Sequence, residues 1–187
     1  MLRIWSDMLM AANDRKVMLL DLLDMSAAFD CVDHLILLHR LQVAFGIDGM
    51  VLNWIWSFLS GRTQQVVYNG ERSVISAVLY DVPQGSVLGP LLYVLYAAPL
   101  FDVIAQHRVD VHQYADDTQL DLSVLPADAA AAVDRLGACL VDVEAWLKAS
   151  RLRLNPSKTQ FIWLGLHNSY PRFNLSRFPF CRLESAS

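Results

Sequence analysis

Two spacings of apolar side chains alternate along this chain. One recurs every second residue and the other every third or fourth, the signatures of strand and helix. Leu2–Ala12 is apolar with helical potential, and Lys16–Asp24 is a near-continuous apolar run ending on a carboxylate. A run of that kind suits a central strand buried on both faces. Asp33 then predicts an N-cap, with Leu35, Leu38, Leu41 and Phe45 at helical spacing and Gly46 as the stop. A second helix is predicted from Asp48 to Leu59, with Val51, Trp54, Ile55 and Phe58 inward and Gly61 beyond it. Gln64–Tyr68 and Arg72–Leu79 flank Asn69-Gly70, a hairpin signal because both turn residues tolerate positive φ. Val82-Pro83-Gln84-Gly85 reads as a loop, and Ser86 as the cap of a buried helix that ends near Pro99.

A second hairpin follows. Val109–Tyr114 is one arm and Thr118–Val124 the other, with Leu120, Leu122 and Val124 alternating with Gln119, Asp121 and Ser123. Pro126–Ser150 predicts an amphipathic helix with Val133, Leu136, Leu140, Val143 and Leu147 on one stripe. Asn155-Pro156-Ser157-Lys158 is a turn and Thr159–Leu164 a last strand, and beyond Gly165 the pattern dissolves. This order of elements implies an α+β fold, with helices packed on one face of a mainly antiparallel sheet.

Composition supports a well-buried core: 55% of residues are hydrophobic and 18% charged. Cys31, Cys139 and Cys181 lie far apart and form no Cys-x-x-Cys pair, which argues against a zinc site and a disulfide framework. A reduced intracellular compartment is the expectation. Met1–Ala12 carries Asp7 and no clear cleavage site, so no secretory signal is read there. The apolar run Val87–Phe101, broken by Gly89, Pro90 and Pro99, is read as a core helix and not a membrane span. The net charge of −4 is unevenly spread. Residues 1–147 carry 8 basic and 18 acidic side chains, whereas residues 148–187 carry 7 and 1. A basic end of this kind suits contact with nucleic acid or an unstructured tail, while the acidic bulk is awkward for phosphate binding.

The chemistry sits at Tyr114-Ala115-Asp116-Asp117, where adjacent carboxylates fall at the tip of the second hairpin. They form a solvated turn, or a cation holds them together. Asp24 ends the first buried strand, where a carboxylate is expensive unless paired or bound to a cation. Should that strand lie beside the acidic hairpin, three carboxylates converge. Such an all-oxygen set suits Mg2+ or Mn2+, with water and substrate phosphate as the other ligands. The competing reading has Asp24 merely capping an Asp24-Met25-Ser26 turn. Asp21 lies three residues earlier, so strand alternation points it to the opposite face. Asp30 and Asp33 are read as caps for the next helix. His34, His39, His107, His112 and His167 show no ligand spacing and are read as surface or satisfied core residues.

Four motifs occur in order: Leu-Leu-Asp-Met-Ser-Ala-Ala-Phe-Asp (22–30), Val-Pro-Gln-Gly-Ser-Val-Leu-Gly-Pro-Leu-Leu (82–92), Tyr-Ala-Asp-Asp (114–117) and Leu-Arg-Leu-Asn-Pro-Ser-Lys-Thr (152–159). Together with Phe58-Leu-Ser-Gly-Arg-Thr-Gln64 they closely resemble the reverse transcriptases of LINE-type, non-long-terminal-repeat retrotransposons. The resemblance implies a polymerase palm with partial fingers over residues 1–165, no thumb, and an unassigned basic tail over 166–187. It implies RNA-templated addition of deoxynucleotides to a DNA primer 3′-hydroxyl, with two Mg2+ ions, or Mn2+, as cofactors. Asp24 and Asp116 match the main metal-binding aspartates, Asp117 a weaker third, and the carbonyl of Met25 a further metal contact. Phe29 matches the bulky residue that crowds the sugar 2′ position, and is equally read as a core phenylalanine. Gln84 and Gly85 match the loop against the template base and incoming nucleotide, Lys158 a proton donor to pyrophosphate, and Tyr114 a residue near the primer end. The implied location is intracellular, nucleus or cytoplasm, with no membrane partner.

Asp81 departs from the pattern, standing where the family usually has glycine. The resemblance implies that the family's upstream fingers segment, with its basic residues, lies outside this chain, which is the expected reason for the acidic balance. The rival readings are a truncated, non-catalytic remnant acting at most as a folded interaction module, and a DNA-templated palm polymerase.

Overall fold

The structure, a computed structural model, describes residues 2–83, 85–164 and 182–185. In chain order the helices and strands are α1 (Leu2–Asn13), β1 (Val17–Leu23), α2 (His34–Phe45), α3 (Gly49–Leu59), β2 (Thr63–Gln64), β3 (Val67–Tyr68), β4 (Glu71–Arg72), β5 (Ser76–Ala77), α4 (Leu88–Ala97), α5 (Leu100–Ala105), β6 (Asp110–Tyr114), β7 (Asp117–Val124), α6 (Ala129–Ala149), β8 (Gln160–Leu164) and β9 (Arg182–Ser185). They form two compact units: residues 1–26, 99–149 and 153–187 make the first, and residues 27–98 and 150–152 the second.

The first unit is built on a five-stranded sheet of order β6-β7-β1-β8-β9. The apolar run after Lys16 becomes β1, which pairs antiparallel with both β7 and β8. Val17, Met18, Leu19 and Leu23 are each at most 2% exposed, as a strand buried on both faces requires. The antiparallel register gives the sheet two distinct faces. Leu19, Asp21 and Leu23 lie level with Leu122, Leu120 and Thr118, while Leu20 and Leu22 lie level with Asp121 and Gln119, next to Asp110 and His112. Asp21 is fully buried on the first of these faces, opposite to that of Asp24. Helix α6 covers the Asp21 face: burial, with added repulsion from Asp142 and Asp21, pushes the Cys139 thiol up to about 12. Helix α1 packs against β1 and reaches the opposite face, where Asp7 approaches His112. Strand β9 joins β8 in parallel, at residues where the sequence pattern predicts nothing.

The second unit holds α2, α3, α4 and two two-stranded ladders. Asp33 caps α2 as predicted, its carboxylate accepting from the Leu35 and Ile36 amides, and Gly46 ends the helix at φ +64°. The buried face differs from the expected one. His34, Leu37 and Leu41 face inward, while Leu35 is 71% exposed and Phe45 40%. In α3 only Ile55 and Leu59 are buried, whereas Val51 and Trp54 are more than half exposed. Both helices carry apolar residues on more than one face, so spacing alone does not select the buried stripe. The expected long hairpin is two short ladders, β2–β5 and β3–β4, with Asn69-Gly70 both at positive φ in the inner turn.

The apolar stretch Leu88–Ala105 is long and apolar enough to cross a membrane by composition. It divides at Pro99 into α4 and α5; Tyr93, Tyr96 and Ile104 within it are fully buried, while Leu91 and Val94 are about half exposed. In α6, Cys139 takes the inward place expected of Leu140.

Candidate active site

The tetrad forms the tip of the β6–β7 hairpin. Tyr114 pairs with Asp117, which leaves Ala115 and Asp116 as the two loop residues, with Ala115 at φ +55°. A tight two-residue turn demands positive φ, and alanine accepts it at some cost. On β1 the ladder to β7 ends at Leu23, level with Thr118. The next residue on β1 is Asp24, and the preceding residue on β7 is Asp117. Strand register therefore delivers both carboxylates to the same end of neighbouring strands, with Asp116 one residue further round the turn. Asp24 and Asp116 are half-buried and Asp117 is exposed.

A second strap fixes Asp24. The Ser26 amide donates to the Arg153 carbonyl at 2.9 Å, and the Asn155 amide to the Asp24 carbonyl at 2.8 Å. Met25, buried between them, forms a β-bridge with Leu154. The turn that follows brings Lys158 Nζ to 3.8 Å from Asp24 Oδ1, with the lysine 68% exposed. An ion pair of that length and exposure contributes little stability, so its interest is chemical. Tyr114 is 85% exposed, and its ring is free of the core that would make it a packing residue.

Among the described residues no group of three or more His, Cys, Asp or Glu side chains is spaced to hold a metal ion. Asp24, Asp116 and Asp117 thus gather at one sheet end without closing into a cage. Mg2+ is usually held by one or two carboxylates together with water and substrate phosphates. An open, all-oxygen donor set fits that ion better than zinc or a buried calcium site.

A cavity of about 460 Å³ adjoins the hairpin, lined by Arg3 and Ile4 of α1 and by His112, Tyr114, Asp117 and Gln119. Sequence spacing treats His112 as unremarkable. In the structure its Nε2 lies 3.5 Å from Asp7 and 3.4 Å from Asp121. Burial pushes the Asp121 carboxyl up to about 6; Asp110 and Asp7 push the same way, and His112 and Arg3 oppose them. The signal was available in the sequence, because His112 and Asp121 fall on the same side of two alternating strands.

The remaining expected residues belong to the second unit. The Phe29 ring is half-buried, with its centroid 4.7 Å from that of Tyr93. Gly85 stands at φ +76°, and a Cβ there would meet nothing within 4 Å, so glycine is required by backbone conformation and not by crowding. Gln84 lies outside the described residues. Close approach is found instead at Gly89, where a Cβ would lie 2.7 Å from the Pro83 carbonyl oxygen. Asp81 adopts φ +132° and pairs with Arg62, while its carbonyl accepts a hydrogen bond from His34 Nε2 at 2.8 Å.

Comparison with known proteins agrees with this architecture. Residues 5–171 match the family model described as reverse transcriptase (RNA-dependent DNA polymerase). The chain is 33% identical over 162 residues to the probable RNA-directed DNA polymerase from transposon BS of Drosophila melanogaster, covering 84% of this chain and 17% of that protein. It is also 33% identical over 144 residues to the RNA-directed DNA polymerase from mobile element jockey of the same species, covering 73% of this chain and 15% of the relative. Among solved structures, apo telomerase from Candida tropicalis, truncated from its C-terminal domain, superposes with a TM-score of 0.65 at 17% identity, covering 92% of this chain and 36% of that one. That likeness shows the palm-like polymerase fold.

Proposed function

The chain belongs to the reverse transcriptase family, by family a nucleotidyltransferase of LINE-type elements, and on that premise we propose that it adds deoxynucleotides to a primer 3′-hydroxyl on an RNA template. The observation that carries this reading is the strand register, which sets Asp24 and Asp117 at one end of adjacent strands with Asp116 beside them and Lys158 at 3.8 Å. Asp24 and Asp116, assisted by Asp117 and the Met25 carbonyl, would hold two Mg2+ or Mn2+ ions. Such ions supply the charge that activates an attacking hydroxyl and stabilises leaving pyrophosphate. The protein's own groups do the rest by position. The Lys158 ammonium gives a proton to pyrophosphate, the exposed Tyr114 ring meets the primer end, and Phe29 crowds a ribose 2′-hydroxyl. Gln84 and Gly85 take the template base and incoming nucleotide. The reaction is intracellular, in the nucleus or cytoplasm.

The chain spans 17% and 15% of the length of the transposon BS and jockey relatives, and a second reading is kept beside the first. In that reading it is a folded, non-catalytic piece. The discriminating measurement is primer extension with an RNA template, a DNA primer, dNTPs and Mg2+ or Mn2+, beside Asp116→Asn. Extension by the natural chain that falls to background in the variant is expected. Equal signals from the two proteins would leave only the non-catalytic reading.

A further inference from the structure

Asn155 is tied at once to Asp24 and to the turn that carries Lys158. Its amide nitrogen donates to the Asp24 carbonyl at 2.8 Å. Its carbonyl accepts from the Lys158 and Thr159 amides at 3.1 and 2.9 Å and from Thr159 Oγ1 at 2.9 Å. Its side-chain Oδ1 accepts from the Ser157 amide at 3.2 Å and from Ser157 Oγ at 2.6 Å. One residue thus holds the backbone of the carboxylate and the stem of the ammonium.

The need for such a fixture follows from the lysine itself. Lys158 is 68% exposed, and among the described residues its ammonium has a single long contact, to Asp24, to hold it. Fixing a flexible four-carbon stem costs more rotamer entropy than an exposed pair returns. The ammonium stays by Asp24 only where the backbone aims it. Pro156 restricts the turn from within, since its φ is set by the ring, and the Oδ1 bonds to Ser157 close it from outside.

We infer that Asn155, through its side-chain oxygen, is the positioning residue that aims Lys158 at Asp24. The catalytic meaning of that aim rests on the polymerase reading above, whereas the geometry does not.

The chain's lysines are Lys16, Lys148 and Lys158. Reductive 13C-methylation keeps their charge and gives each an NMR signal. Lys16 pairs with Asp14 at 3.0 Å and Lys148 with Glu144 at 2.6 Å, so their signals report that the fold is retained. Asp24→Asn is expected to displace the Lys158 signal in the natural chain. In an Asn155→Ala background that displacement should fall by more than half, and in an Asn155→Asp background, which keeps the acceptor, it should return. An undiminished displacement with Asn155→Ala, or no return with Asn155→Asp, would overturn the assignment. Should Asn155→Ala unfold the chain, Ser157→Ala removes the shorter of the two bonds to the Asn155 side chain from the donor side, and the displacement should again shrink; an undiminished displacement there would overturn the assignment. In primer extension, Asn155→Ala should lower kcat with the dNTP KM unchanged, and adding Lys158→Ala should cost less than half of what it costs in the natural chain. A natural chain that extends no primer would sink the polymerase reading, while the lysine signal still decides the role of Asn155.

Discussion

Asp81 shows how much a single backbone angle can ask of a side chain. At φ +132° it occupies a region that L-residues rarely adopt, at a cost of about 1–3 kcal/mol. Its surroundings hold it there. The amide donates to the Val32 carbonyl at 3.1 Å, the carbonyl accepts from His34, and the carboxylate pairs with Arg62. At an ordinary position glycine is less stable than alanine by roughly 0.5–1 kcal/mol. Here the order should invert. Asp81→Ala loses the ion pair and keeps the strain, while Asp81→Gly loses the ion pair and releases the strain. Urea denaturation should find the glycine variant about 1 kcal/mol the more stable of the two. Alanine equal to or above glycine would show that the strain is not real.

At the scale of elements, the start of α4 inverts the usual glycine rule for a different reason. Gly89 is helical and buried, so Gly→Ala would ordinarily stabilise by about 1 kcal/mol. A Cβ there meets the Pro83 carbonyl oxygen at 2.7 Å and Ser86 Oγ at 3.1 Å. Ser86 Oγ is itself engaged, donating to Pro83 and accepting from the Gly89 amide. Gly89→Ala must displace backbone and should destabilise by about 1–3 kcal/mol, the usual cost of overpacking; a raised melting temperature would refute the packing argument. The sequence shows neither this clash, which depends on how the loop from Pro83 to Ser86 folds back onto the helix start, nor the inward faces of α2 and α3, which depend on neighbours that arrive from far along the chain. What it does show are elements whose own pattern is decisive. β1 has no polar face to misplace, β7 alternates cleanly, and Asp33 and Gly46 bracket α2 chemically. The site is legible to the same extent. Three carboxylates at strand ends follow from pattern, as does the shared side of His112 and Asp121, whereas the strap from Arg153 to Asn155 and the approach of Asp7 follow only from pairing.

At the scale of the whole molecule, one buried carboxylate gives a defined expected response to pH. Asp121 is 3% exposed in the central ladder, facing Asp110 on β6, His112 beside it, and Asp7 and Arg3 on α1. Its pKa rises from the ordinary 3.8 of an unfolded chain to about 6 in the fold. A carboxyl whose pKa is raised by folding favours the native state when protonated. That contribution is complete below about pH 3.8 and is lost as pH climbs through about 6. A tenfold change in proton affinity is worth about 1.4 kcal/mol, so the loss is on the order of 2–3 kcal/mol, with the opposing effect of His112 already contained in it. Asp121→Asn removes the titration and keeps the shape. Denaturation curves collected from pH 4 to 7 should therefore diverge: the natural chain loses stability across this range relative to the variant, and the two coincide near pH 4. Other acids titrate in both proteins and cancel in the difference. Parallel curves, or a variant less stable at pH 7, would mean that the cluster of Asp7, His112 and Asp121 holds its charge at no cost to the fold.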